Sequence, residues 1–92
     1  MKTNDSPVLG IQVHPDDNVA VVAADVQAGR LVRLDDATVV RAVEGISRGS
    51  KLALRPIACG DAVIRYGEEI GKATKDIAAG EHVHTHNLRR GG

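Results

Sequence analysis

Short apolar runs, each closed by a cluster of turn-forming residues, set the pattern of this chain. Residues 8–14 form the first run and predict a strand. Pro15-Asp16-Asp17-Asn18 follows with strong turn chemistry. Residues 19–24 are continuously apolar and short, the pattern of a buried strand. Residues 31–34 and 38–43 predict two more strands, divided by Asp35-Asp36, and Gly45 to Gly49 reads as a turn. Residues 51–54 fit either a strand or a helical turn. Arg65-Tyr66-Gly67-Glu68-Glu69-Ile70-Gly71 predicts a turn between two strands. It lacks the Lys-Ser or Lys-Thr ending and the G-x-G-x-x-G spacing of a phosphate loop. No segment carries a long helical period, and ten glycines interrupt the windows that could have held one. The predicted class is mainly β. Room for one short helical segment remains between residues 48 and 57 or between 68 and 75. Residues 1–7 read as a polar lead-in, 8–88 as the domain and 89–92 as a tail.

A degenerate repeat runs through the strands. Val26-Gln27-Ala28-Gly29-Arg30-Leu31-Val32, Ile57-Ala58-Cys59-Gly60-Asp61-Ala62-Val63 and Ile77-Ala78-Ala79-Gly80-Glu81-His82-Val83 share one plan. A β-branched residue precedes a glycine turn, and a valine follows it. Glycine enters the turn conformation that other residues reach only with strain. The copies are unevenly spaced, which excludes a solenoid. One compact β domain with repeated tight turns fits better.

Composition narrows the function. Ninety-two residues make one small domain, in which a partner would add stability. Tyr66 is the only aromatic residue, so the core must be aliphatic. Twelve basic and twelve acidic residues cancel. That balance, and the lack of aromatic platforms, exclude the usual footprint of a nucleic-acid binder. No run is long enough to span a membrane and the N-terminus has no apolar signal region, which points to a cytoplasmic protein. Cys59 is the only cysteine and is expected to be a small filler.

The chemistry is concentrated near the end, in Glu81-His82-Val83-His84-Thr85-His86-Asn87. Three of the four histidines stand there at alternate positions. In an extended strand, alternate residues share a face. If Val83 points inward like Val63 and Val32, then His82, His84 and His86 point outward and Thr85 inward. Imidazole changes charge near neutral pH and is the commonest metal ligand. A His-x-His pair can hold one ion but needs further ligands, which His14, Glu81 or a partner could supply. The carboxamide of Asn87 could hold a substrate carboxylate or hydroxyl. His14-Pro15-Asp16-Asp17-Asn18 is a second polar cluster, equally readable as a turn.

Several stretches together resemble a known family. They are His14 with Asp17-Asn18-Val19-Ala20; Asp61-Ala62-Val63-Ile64-Arg65-Tyr66-Gly67; Ile70-Gly71-Lys72-Ala73; and 77–87 with its His84-x-His86-Asn87 ending. This combination resembles the N-terminal domain of altronate and galactarate dehydratases and the small (alpha) subunit of sulfolactate sulfo-lyase. The resemblance implies a SAF domain, a β-clip related to type III antifreeze proteins. It implies a lyase that eliminates water or sulfite from a hydroxylated acid, commonly with divalent iron, manganese or magnesium. Most of the machinery, and most of the metal's ligands, would lie in a large catalytic subunit or domain. His84 and His86 would then be the catalytic residues and candidate metal ligands contributed from this side, ahead of His82. Asn87 and His14 would contact the substrate. Gly49-Ser50-Lys51 departs from the family's common Gly-His-Lys, so a histidine is replaced by a hydroxyl.

The leading expectation is therefore a small subunit of an altronate dehydratase-like hydro-lyase, inactive alone, that works on a small hydroxy acid beside a large subunit. A sulfolactate sulfo-lyase alpha subunit and a non-catalytic assembly module are the alternatives.

Overall fold

The computed structural model describes residues 6–90. Nine strands follow in order: β1 Val8–Ile11, β2 Val19–Val22, β3 Leu31–Arg33, β4 Val39–Arg41, β5 Lys51–Ala53, β6 Ala62–Arg65, β7 Glu68–Ala73, β8 His82–Val83 and β9 Leu88–Arg89. Six of them form one sheet in the order β4-β3-β1-β2-β5-β8, and β6-β7-β9 form a second. Among the described residues there is no helix, and so none long and apolar enough to cross a membrane.

Both places left open for a helical segment are strands. Lys51–Ala53 pairs with β2 on one side and β8 on the other. Glu68–Ala73 pairs with β6 and β9. Gly71 explains the second case. The carbonyl of Arg89 lies where a Cβ at position 71 would stand, so glycine lets β9 close onto β7. Arg89, read as the start of the tail, is part of that pairing and lies opposite Lys72.

The β2–β5 pair divides the core. Val22 and Leu52 face one aliphatic cluster with Val8, Val26, Val32 and Ile46. Val19 and Ala53 face the other, with Val63, Ile77, Val83 and Leu88. Burial on both faces is why residues 19–22 form an unbroken apolar run.

The repeat has four copies, not three. Ile46-Ser47-Arg48-Gly49-Ser50-Lys51-Leu52 is the second, disguised by ending in Leu52 instead of valine. The glycines at 29, 49, 60 and 80 all have φ between 85° and 89°. The copies interlock in pairs through the bridges Val26–Ile46 and Ile57–Ile77. In the first pair, Gly29 N–H donates to Ala42 O (2.7 Å) and Ala42 N–H donates to Arg30 O (2.9 Å). Gly49 N–H donates to Val22 O (2.9 Å), and Val22 N–H donates to Ser50 O (3.0 Å). The second pair repeats this with Gly60 and Ala73, and with Gly80 and Ala53. Asp25 caps the turn of its partner copy at Arg48 N–H (2.8 Å), as Asp76 does at Cys59 N–H (2.9 Å). Pairing first with second and third with fourth accounts for the uneven spacing.

Candidate functional site: an imidazole cluster where the two sheets meet

Gly80 sets the position of the histidines. Its φ is 89°, and a Cβ there would overlap the carbonyl oxygen of Arg41. Val43 N–H donates to Gly80 O (3.0 Å), which fixes this turn against the end of β4. The chain then enters β8, where Val83 is fully buried and His82 N–H donates to Glu44 Oε2 (3.0 Å).

The expected extended row of alternating histidines stops after Val83. Residues 84–87 form a turn, and Asn87 closes it. Its Oδ1 accepts from His84 N–H (2.9 Å), and its Nδ2 donates to His82 O (2.8 Å). Its own N–H donates to His84 O (3.0 Å), and its carbonyl accepts from Thr74 N–H, just past the end of β7 (2.9 Å). A carboxamide has the donor and acceptor of a peptide group, so it can satisfy a turn from inside. Thr85 is exposed instead of turning in, and His82 is half-buried instead of pointing outward.

The turn still gathers the imidazoles. The His82 and His84 rings lie 5.7 Å apart, centroid to centroid, and 5° from parallel. His82 and His86 lie 5.5 Å apart at 49°. His84 and His86 are exposed. Burial lowers the pKa of His82, and the neighbouring charges of His86 and His84 lower it further; Glu44 opposes them and Lys51 adds to them. The charged form of His82 is thus disfavoured. Its Nε2 is buried and has no protein partner. Asn87, expected to touch substrate, is 1 % exposed, with both ends of its carboxamide turned to the backbone. It positions His84.

His14 belongs to a different cluster, at the Tyr66-Gly67 hairpin tip. Tyr66 and Gly67 both have positive φ (57° and 75°), the tight hairpin turn that fits a twisted strand pair. Asp17 is buried beneath it. One carboxylate oxygen accepts from Gly67 N–H (2.8 Å) and the other from His14 N–H (3.1 Å). Burial pushes the Asp17 carboxyl up, but these two bonds, one from Tyr66 N–H and the nearby His14 charge outweigh it and leave its pKa lowered. His14 Nδ1 accepts from Asp16 N–H (3.0 Å), which places the proton of the neutral ring on Nε2, beside Gly67. Asn18 ties the same loop to β6 through Ala62 O (2.9 Å) and Ile64 N–H (2.8 Å). The turn-like composition of 15–18 concealed these two buried polar anchors.

Sequence reasoning also passed over a basic corner beside the histidines. Lys51 lies next to Val83 in the β5–β8 register. Burial lowers its pKa, and the charges of Arg65 and Arg90 lower it further. Arg65 Nη2 donates to Tyr66 Oη (2.8 Å), and its guanidinium stands 4.5 Å from that ring. Its Nε is buried without a partner. Among the described residues no carboxylate forms an ion pair with Lys51, Arg65 or Arg90. Three unpaired cations close together suit an anionic ligand. The signal in the sequence was Lys51 directly after the glycine turn of an unrecognised repeat copy. Ser50 is half-buried, and its carbonyl holds Val22 N–H.

A metal does not fit these residues alone. Among the described residues no three His, Cys, Asp or Glu side chains are grouped to hold an ion. The near-parallel rings of His82 and His84 do not converge on one point. An open groove of about 510 Å³ runs over the Ile57–Ile77 bridge, flanked by Asp61, Asp76 and Glu81.

Residues 8–91 match the family model described as the altronate/galactarate dehydratase SAF domain. The altronate dehydratase of Escherichia coli is 51 % identical over 79 residues, and that of Bacillus subtilis 37 % identical over 79. Each match takes in 86 % of this chain but 16 % of the relative, so the chain spans about one-sixth of those proteins' length. The (2R)-sulfolactate sulfo-lyase subunit alpha of Chromohalobacter salexigens is 40 % identical over 80 residues, 80 % of this chain and 85 % of that subunit. The strand-only fold agrees with the β-clip expected of a SAF domain. The chain belongs to the altronate/galactarate dehydratase SAF domain family.

Proposed function

We propose that this domain works in a cytoplasmic lyase that eliminates water from a sugar acid, as a small subunit or as one part of a longer chain, beside a larger catalytic body. The observation that carries the reading is the clustering of His84 and His86 around His82, each ring within 5.7 Å of it, under the control of a buried Asn87. Such an elimination removes a proton next to a carboxylate and gives one to the departing hydroxyl. Exposed imidazoles on a fixed turn can carry out either transfer. Lys51, with Arg65 and Arg90, would hold the substrate's carboxylate, and its positive field would stabilise the enolate-like charge that develops. His82 would stay neutral and hold His84 and His86 in place through ring contact. His14, at the hairpin tip beside Tyr66, would approach the same substrate. Any divalent ion that the enzyme uses would take its ligands chiefly from the larger body.

Sulfite as the leaving group is the second reading, favoured by the likeness that covers 85 % of a sulfolactate sulfo-lyase subunit. The test is turnover of altronate, galactarate and sulfolactate by the assembled enzyme, with product detected by mass spectrometry. Dehydration of a sugar acid supports the first reading. Sulfite release supports the second. Inertness toward all three, with assembly intact, would leave the non-catalytic module.

A further inference from the structure

One face of the six-stranded sheet is only half covered. Over β2, β5 and β8 the three-stranded sheet lies on it, burying Val19, Ala53 and Val83 against Val63, Ala73 and Leu88. Over β1, β3 and β4 the same face is open. β1 is an interior strand, between β3 and β2. Yet its outward residues Leu9 and Ile11 are each 45 % exposed, and Val13, just past its end, is 58 % exposed. The register extends the patch sideways. Leu9 lies beside Arg33, and Arg33 opposite Val39, itself exposed; Ile11 lies opposite the half-buried Val21. An interior strand ordinarily exposes single apolar residues, not a contiguous set, and such patches mark interaction sites.

The charge on this face selects the partner. Its ionisable members on β3 and β4 are Arg33 and Arg41, and Lys51 stands at its covered edge. Asp35 and Asp36 lie beyond it, in the β3–β4 turn. A second copy meeting this face about a two-fold axis would bring only positive charge from both sides, because an isologous contact uses the same patch on each. A partner with its own aliphatic residues, edged by carboxylates, is complementary. The face also runs into the basic corner at Lys51, so a body seated on it would bring its chemistry toward the imidazoles.

We infer that the open face centred on Leu9, Ile11 and Val39 is the surface by which this domain docks onto the larger lyase body, which meets it with apolar residues edged by Asp and Glu. This rests on the lyase reading above. The test is photo-crosslinking in the producing cells, with p-benzoylphenylalanine at position 11 or, as control, at the exposed Ala58 beside the groove, followed by sequencing of the linked peptides. Links from position 11, but not 58, to peptides resembling altronate dehydratase outside its matched 79 residues are the expected result. Adding Arg33→Glu should cut that yield about tenfold, the effect of reversing one interface charge. Links to the lyase body from position 58 alone would overturn the docking face and leave the lyase reading standing. Links from position 11 to this domain's own peptides would make the face a homodimer contact and overturn the inference. No link to a lyase body from either position would remove both the inference and the reading beneath it.

Discussion

Asn87→Ala is the substitution that most directly probes how the fold holds its histidines. The side chain is 1 % exposed and makes two hydrogen bonds, to His84 N–H at 2.9 Å and to His82 O at 2.8 Å. Removing it leaves a part-buried donor and a part-buried acceptor with no partner and opens a small void. Each orphaned group costs about 1–3 kcal/mol when fully buried; these two are part-buried, so about 1–2 kcal/mol each gives a loss of about 2–4 kcal/mol. For a domain of this size, about 4–8 °C of Tm follows each kcal/mol, which gives a fall of about 8–30 °C. Thermal unfolding followed by circular dichroism measures it. Asn87→Asp separates geometry from bulk. The new carboxylate keeps an acceptor for His84 N–H but turns an oxygen toward His82 O, where a donor is needed. That favours its protonated form in the fold and raises its pKa above the unfolded value. The variant should therefore be weakened at pH 7, and its deficit against the natural chain should shrink as the pH falls toward 4. A Tm shift under about 3 °C for the alanine variant, far below the summed hydrogen-bond terms, or no acid recovery for the aspartate variant, would refute the account of this turn.

Further expectations come from other parts of the structure. His82 has a pKa below its ordinary 6.5, because burial and two imidazoles disfavour its charge. Its contribution to stability is present above that value and is lost as the pH falls through the lowered one; His82→Gln should flatten that part of the stability profile, and NMR titration should place this ring below 6.5. Asp17 has a lowered pKa, so it contributes stability above about 3.8 that is lost in stronger acid; Asp17→Asn should weaken the fold at neutral pH and reduce this acid sensitivity in chemical denaturation. Gly29→Ala meets open space and should lose only about 1–2 kcal/mol to its positive φ, whereas Gly80→Ala also meets the Arg41 carbonyl and should lose clearly more, both read from urea midpoints.

The strand pattern was legible because each short apolar run ends in residues that can do little but turn. Residues 19–22 read as a buried strand because both their faces meet aliphatic clusters. The repeat was legible through its glycines, but Leu52 hid the second copy, and uneven spacing could not reveal that copies clasp in pairs. The helical option at 68–75 stood open because the purpose of Gly71 depends on β9, far along the chain. In the site, the concentration of histidines was visible but their arrangement was not. Period-two spacing implied a strand. A single buried carboxamide, whose partners are backbone groups, bent it into a turn. Glu44, Lys51 and Arg65 come from three other segments, and only the fold places them near the cluster.

The central claim is that the imidazoles of this turn take part in the elimination. The most direct measurement is the single-turnover rate of the assembled enzyme on its sugar acid, for the natural chain and for His84→Ala/His86→Ala. Both residues are exposed, so the double variant should fold and assemble. Loss of a general acid or base predicts a rate lower by about 10²–10⁴-fold with assembly unchanged. A double variant that assembles and turns over at the natural rate would contradict the claim.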